Sequence, residues 1–129
     1  MEPMGRILMI DDDPSIMEMI KMSLEAEGFY VESEANPVNG LEHLKTNQYD
    51  LILLDYFMPE MTGDEFVNQL RIAGDNTVIL LQTGYAEEDH PIDLLKSMDI
   101  QGYFDKTKGV DELIMLVISM VKTIQKVKE

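Results

Sequence analysis

Cysteine is absent from the 129-residue chain. That excludes disulfides and thiolate metal centres and fits a reducing cytoplasm. Basic residues are scarce: 10 Lys and Arg stand against 25 Asp and Glu, for a formal net charge of −15. So acidic a surface repels nucleic acid phosphates and anionic membrane, and it favours divalent cations and basic protein surfaces. No apolar run approaches the length needed to span a bilayer. The first nine residues carry no long apolar stretch, and the short one that follows stops at Asp11, Asp12 and Asp13, so no signal peptide is expected. Repeats, low-complexity tracts and an internal linker are missing too. The expectation is a soluble, cytoplasmic protein with no direct nucleic acid or membrane contact.

What the chain does contain is an ordinary globular mixture, 45% hydrophobic and 27% charged, which argues against a disordered body. Its length suits one domain over residues 1–129, with 124–129 expected to fray or to begin a linker. Three short apolar runs, Ile7-Leu8-Met9-Ile10, Leu51-Ile52-Leu53-Leu54 and Val78-Ile79-Leu80-Leu81, read as strands buried on both faces. The alternating stretch 29–34 reads as an edge strand, and 101–105 as a last short strand. Helices are predicted between them. Asp13-Pro14 reads as a cap and first helical residue ahead of Ile16, Ile20 and Leu24, with Gly28 as the stop. Further helices are predicted over 37–47, 63–73, 87–98 and 111–127. Strands alternating with helices imply a parallel sheet covered on both faces, an α/β doubly wound fold.

Open α/β sheets bind ligands at the carboxyl ends of their strands. Here the first strand ends in Asp11 and Asp12, the third in Asp55, the fourth near Thr83 and the fifth at Lys106. The second ends in Glu34 and Ala35, which receive no role. Three carboxylates brought to one edge repel unless a proton or cation intervenes. With no His or Cys ligand nearby, an oxygen-only set suits Mg2+ and not zinc. A carboxylate is also a competent nucleophile toward phosphorus, and phosphoryl transfer depends chiefly on positioning and charge neutralisation. Lys106 and Thr83 supply a cation and a hydroxyl for phosphoryl oxygens.

The pieces ILMIDDDP, LILLDYFMPEMTGDE, LLQTG and GYFDK, in that order and spacing, resemble the receiver domain of two-component response regulators over nearly the whole chain. The resemblance implies a five-stranded, flavodoxin-like receiver fold with strand order 2-1-3-4-5. It implies that Asp55 is the phosphoacceptor, that Asp11 and Asp12 are the acidic pair with Asp12 the more direct Mg2+ ligand, and that the main-chain carbonyl of Phe57 is another ligand. Thr83 becomes the switch hydroxyl, Lys106 the conserved-type lysine, and Tyr103 the aromatic that turns inward with Thr83. The implied partners are a sensor histidine kinase or histidine phosphotransfer protein as phosphodonor. The implied output is a downstream protein or a homodimer through the fourth helix, fifth strand and fifth helix. Such a domain assists its own phosphorylation and dephosphorylation and is not an enzyme in the ordinary sense.

Two departures stand out. Thr107 follows Lys106 where receivers carry proline, so a trans bond and a reshaped loop over 107–109 are expected. Phe57 and Tyr85 are bulky at positions that influence dephosphorylation, which predicts a long-lived phosphoryl state. Asp13 is read as a helix cap, not a ligand. His43 and His90 are read as exposed helix or loop residues with no partner acids at ligand spacing, and the eleven Met as mainly core and helix filler. The last helix carries apolar residues beyond one face, from Val110 through Leu113, Ile114, Met115, Leu116, Val117, Ile118, Met120 and Val121 to Ile124. A docked partner and deep packing are both open readings. Two other functions compete. One is a phosphorylation-independent interaction module. The other is a phosphatase of the haloacid dehalogenase type, whose Asp-x-Asp spacing Asp11 and Asp13 reproduce, although no room remains for a substrate cap.

Overall fold

The three apolar runs form the centre of one parallel sheet because only a strand covered on both faces can be apolar at every position. The computed structural model describes residues 3–84 and 96–128. In it, β1 (Arg6–Ile10), β3 (Leu51–Asp55) and β4 (Val78–Thr83) lie side by side, flanked by the more polar β2 (Tyr30–Glu34) and β5 (Gly102–Asp105). The order is β2-β1-β3-β4-β5, every pair is parallel, and the two polar strands sit at the edges as expected.

Strand alternation divides the core in two. Ile7, Met9, Leu51, Leu53, Leu80 and Phe104 point to one side, where α1 (Pro14–Ala26) and the C-terminal helix (Val110–Lys128) cover them. Leu8, Ile10, Ile52, Leu54, Ile79 and Leu81 point to the other, beneath α2 (Pro37–Thr46) and α3 (Gly63–Ile72). Phe66 of α3 is fully buried there. The predicted helix over 87–98 lies mostly outside the described residues, as do Tyr85, His90, Ile92 and Leu95; Lys96 and Ser97 are helical.

Local chemistry sets the helix ends that frame the site. The Asp13 carboxylate accepts from the N–H of Ser15 and of Ile16 ahead of Pro14, so it is spent as a cap. Gly28, at φ 99°, ends the turn after α1, a conformation that disfavours any side chain. Gly63 opens α3 by donating its N–H to the Tyr56 carbonyl at 2.8 Å. A Cβ at Gly63 would sit 3.1 Å from the Tyr56 Cα. The loop leaving Asp55 is thereby folded back tightly on itself.

The C-terminal helix answers the question of its extra apolar residues. Leu113, Ile114, Val117 and Val121 are buried, and Val110, Leu116, Ile118, Met120 and Ile124 pack against the same core at its flanks. Only Met115 of the apolar set stands clear, 71% exposed. Deep packing, not a second face, explains most of the pattern. The helix runs to Lys128; Ile124 packs on the core and Gln125 donates to the Met4 carbonyl. Among the described residues no helix is long and apolar enough to cross a membrane.

Candidate phosphoacceptor site

The C-terminal edge of the sheet gathers the strand-end residues. Asp55 closes β3 and is 6% exposed, and Asp11, just past β1, is withdrawn further still at 1%. Asp12 is exposed beside them. Each of the three can offer a carboxylate oxygen within 4.8 Å of the others. Lys106, directly after β5, reaches across to both buried acids: its Nζ is 2.9 Å from Asp55 Oδ1 and 3.2 Å from Asp11 Oδ2. The N–H of Asp13 donates to Asp11 Oδ1 at 2.9 Å, which fixes that carboxylate.

These contacts set the protonation chemistry. Burial pushes the Asp55 carboxyl up to about 6, the charge of Asp11 adds to the rise, and Lys106 only partly opposes it. Burial works against the Lys106 ammonium, but its hydrogen bonds and attraction to Asp55 and Asp11 outweigh that effect and raise it. One ammonium is thus shared by two buried carboxylates, with the third, Asp12, beside them. The cluster has a deficit of positive charge, and its donors are all oxygen. A hard divalent cation of the Mg2+ type fits such a donor set.

Thr83 closes β4 and is fully buried. By alternation it shares the α2–α3 side with Leu81. Tyr103 pairs with Leu81 in the β4–β5 ladder, shares that side, and stands 50% exposed. Phe57, in the loop after Asp55, is 47% exposed, and its ring meets that of Tyr56 edge-on with centroids 5.1 Å apart. Residues Lys106–Lys108 form one 3-10 turn. The Asp105 side chain caps it by accepting from the N–H of Thr107 at 2.9 Å. No described peptide bond is cis, so Thr107 follows Lys106 in trans.

Some readings need correction. His43 is half-buried, not exposed, and meets two acids: its Nδ1 lies 3.1 Å from Glu32 and its Nε2 2.9 Å from Glu34. These partners come from the neighbouring strand, so spacing within the helix could not reveal them. Sequence reasoning also passed over Gln82, a buried amide directly after the third apolar run and still within β4. Its polarity in an otherwise apolar strand was the available signal.

Comparison with known proteins completes the picture. The family model for the response regulator receiver domain matches residues 7–118. The cell cycle transcriptional regulator CtrA of Caulobacter vibrioides is 32% identical over 117 residues, which is 91% of this chain and 50% of that protein. Hybrid signal transduction histidine kinase D of Dictyostelium discoideum is 34% identical over 125 residues, 95% of this chain but 8% of the kinase. The chain thus spans half or less of these curated relatives. Among solved structures, the receiver domain of the Francisella response regulator 1452 superposes with a TM-score of 0.83 at 29% identity, covering 92% of this chain and 98% of that one. TrrA of Thermotoga maritima, solved in complex with Mg2+-BeF, gives 0.77 at 31% identity over 93% of this chain and 99% of its own. Fold, site geometry and family model agree: this chain belongs to the response regulator receiver domains of two-component systems.

Proposed function

We propose that the chain accepts a phosphoryl group on Asp55 from a phosphohistidine of a sensor histidine kinase or phosphotransfer protein, and controls a partner through the resulting change of shape. The observation that carries this reading is the contact of Lys106 Nζ with Asp55 Oδ1 at 2.9 Å, inside a cluster of three carboxylates. In the transfer, an Asp55 oxygen bonds to phosphorus while the bond from phosphorus to the donor nitrogen breaks, and the departing imidazole keeps that electron pair and takes a proton. Asp11 and Asp12, with Asp55 and the Phe57 main-chain carbonyl, would hold Mg2+, Asp12 most directly. When bound, the cation neutralises charge on the transferring phosphoryl group. Lys106 turns from Asp55 to a phosphoryl oxygen, and Asp11 keeps its ammonium close at hand. Thr83 donates its hydroxyl to another phosphoryl oxygen, and Tyr103, outward here, follows it inward. These new contacts favour one member of an existing pair of conformations.

The Asp-x-Asp alternative loses support because the Asp13 side chain is engaged as the α1 cap. The output face is read as β5 with the C-terminal helix, where Tyr103, Phe104, Lys108, Glu112 and Leu116 line a shallow hollow of about 320 Å³, together with the helix predicted over 87–98. Incubation with Mg2+ and acetyl phosphate, followed by intact-protein mass measurement beside Asp55→Ala, tests the reading. One phosphoryl adduct that vanishes in the variant supports it. No adduct with a competent donor overturns it in favour of a phosphorylation-independent interaction module.

A further inference from the structure

Gln82 sits in β4 between Leu81 and Thr83, and the reading above gives it nothing to do. It is 2% exposed, and among the described residues its Nε2 is a buried atom without a hydrogen-bond partner. A carboxamide NH2 carries two donors, and burying them without an acceptor forfeits their hydration for no return. An apolar side chain of similar length would fill the same space without that loss. Fold stability alone therefore does not account for an amide here, and an unsatisfied buried donor calls for an explanation.

Its placement supplies one. Gln82 pairs with Asp55 in the β3–β4 ladder and with Phe104 in the β4–β5 ladder. Leu53, Leu80 and Phe104 all face the side covered by α1 and the C-terminal helix. Alternation puts Asp55 and Gln82 on that same side, two residues beyond Leu53 and Leu80. Thr83 faces the other way. Gln82 thus lies between the strand that carries the acceptor and the strand that ends in Lys106. Its main-chain carbonyl also accepts from the N–H of Tyr56 at 3.0 Å, which ties its backbone to the residue after Asp55.

We propose that Gln82 is a positioning residue of the acceptor pocket, its carboxamide N–H a reserve donor that the Asp55 carbonyl oxygen takes up when Lys106 leaves Asp55 for an incoming phosphoryl oxygen. The proposal rests on the phosphoacceptor reading. In the resting pocket Lys106 satisfies Asp55 Oδ1. Once one Asp55 oxygen is bonded to phosphorus, the other remains a carbonyl acceptor with two lone pairs, one for the cation and one left over, and the ammonium is drawn to the more negative phosphoryl oxygens. A neutral amide one strand away meets that need without adding charge. A donor unpaired before transfer and paired after it favours the loaded state by the difference.

The test uses the full chain, as wild type and as Gln82→Met. The side-chain amide resonances of Gln82 are assigned by through-bond NMR in the wild type and followed on adding Mg2+ with beryllofluoride, a phosphoryl mimic. A downfield shift with slowed hydrogen exchange is expected. In parallel, adduct formation from acetyl phosphate should slow about three- to tenfold in Gln82→Met, the loss of one differential hydrogen bond. Its thermal midpoint without Mg2+ should equal or exceed that of the wild type. Unmoved amide resonances, or a variant with an unchanged adduct time course and phosphoryl lifetime, overturn the proposal. A wild type that takes no adduct overturns the phosphoacceptor reading and this proposal with it, whereas a wild-type adduct beside an unaffected variant overturns this proposal alone. Should Gln82→Met not fold, the wild-type amide resonances decide.

Discussion

Replacing Asp55 by Asn would remove the proposed acceptor, and it should also make the metal-free protein more stable. Burial, reinforced by the charge of Asp11, raises the Asp55 carboxyl from 3.8 to about 6. A group raised on folding is more comfortable protonated, so the wild type carries no penalty below the unfolded value and the full penalty above the folded one. The difference, taken at ~1.4 kcal/mol per pH unit, sets an upper limit of ~3 kcal/mol. The site lies at the open end of the sheet, where solvent screens part of that energy, so about 1–2 kcal/mol is expected. Asn keeps the shape of the protonated acid and never ionises. In EDTA at pH 7.5, Asp55→Asn should therefore melt roughly 3–8 °C above the wild type. The gap should close as pH falls from 6 toward 4, and Mg2+ should narrow it by stabilising the wild type selectively. Thermal melts in EDTA and in Mg2+ across that range decide the matter. A variant less stable than the wild type at pH 7.5, or a gap that ignores pH, would refute the argument that Asp55 is held ionised against its surroundings.

Three further outcomes follow from the same geometry. Lys106→Met leaves Asp11 and Asp55 buried without their cation and should lower stability at pH 7.5 by about 2–4 kcal/mol in urea titrations, with the deficit shrinking below pH 6 as Asp55 protonates. Arg71→Met should lower stability by about 2–4 kcal/mol, because its guanidinium donates to the carbonyls of Asp75, Thr77 and Asp99, yet adduct formation from acetyl phosphate should proceed at the wild-type rate. If the exposed Phe57 ring hinders an attacking water as proposed, Phe57→Asn should shorten the phosphoryl lifetime several-fold, measured as loss of the adduct after removal of donor; an unchanged lifetime would remove Phe57 from that role.

The legible parts of this fold share one property: their signal is local. Ile7–Ile10, Leu51–Leu54 and Val78–Leu81 read as central strands because covering on both faces leaves a continuous apolar run. Asp13-Pro14 read as a helix start because cap and first turn are adjacent in sequence. The acidic strand ends and Lys106 were legible for a different reason, since parallel topology delivers all carboxyl strand ends to one edge. What escaped depends on pairs distant in sequence. His43 meets Glu32 and Glu34 only because α2 packs over β2. Arg71 reaches Asp99 and Gln101 across the sheet end. The flanks of the C-terminal helix looked surplus because apolar counting cannot tell how deeply a helix sinks into its core.

The two ends of the β4–β5 pair are built for opposite purposes. At the amino end, Arg71 binds the carbonyls of Asp75, Thr77 and Asp99, while the Gln101 side chain accepts from the N–H of Ile79 at 2.8 Å. Polar groups there are mutually satisfied by a guanidinium that cannot lose its charge. At the carboxyl end the same two strands carry Gln82 and Thr83, with Lys106 just beyond. There one ammonium is divided between two buried carboxylates and a buried amide lacks a partner. On the proposed reading, a ligand arriving at that end would change which oxygen Lys106 holds. The clamp at the far end confines the response. Displacement on loading should be largest at Thr83 and Lys106 and decay along both strands toward Val78 and Gly102, which is the behaviour required of a switch that leaves its own fold intact.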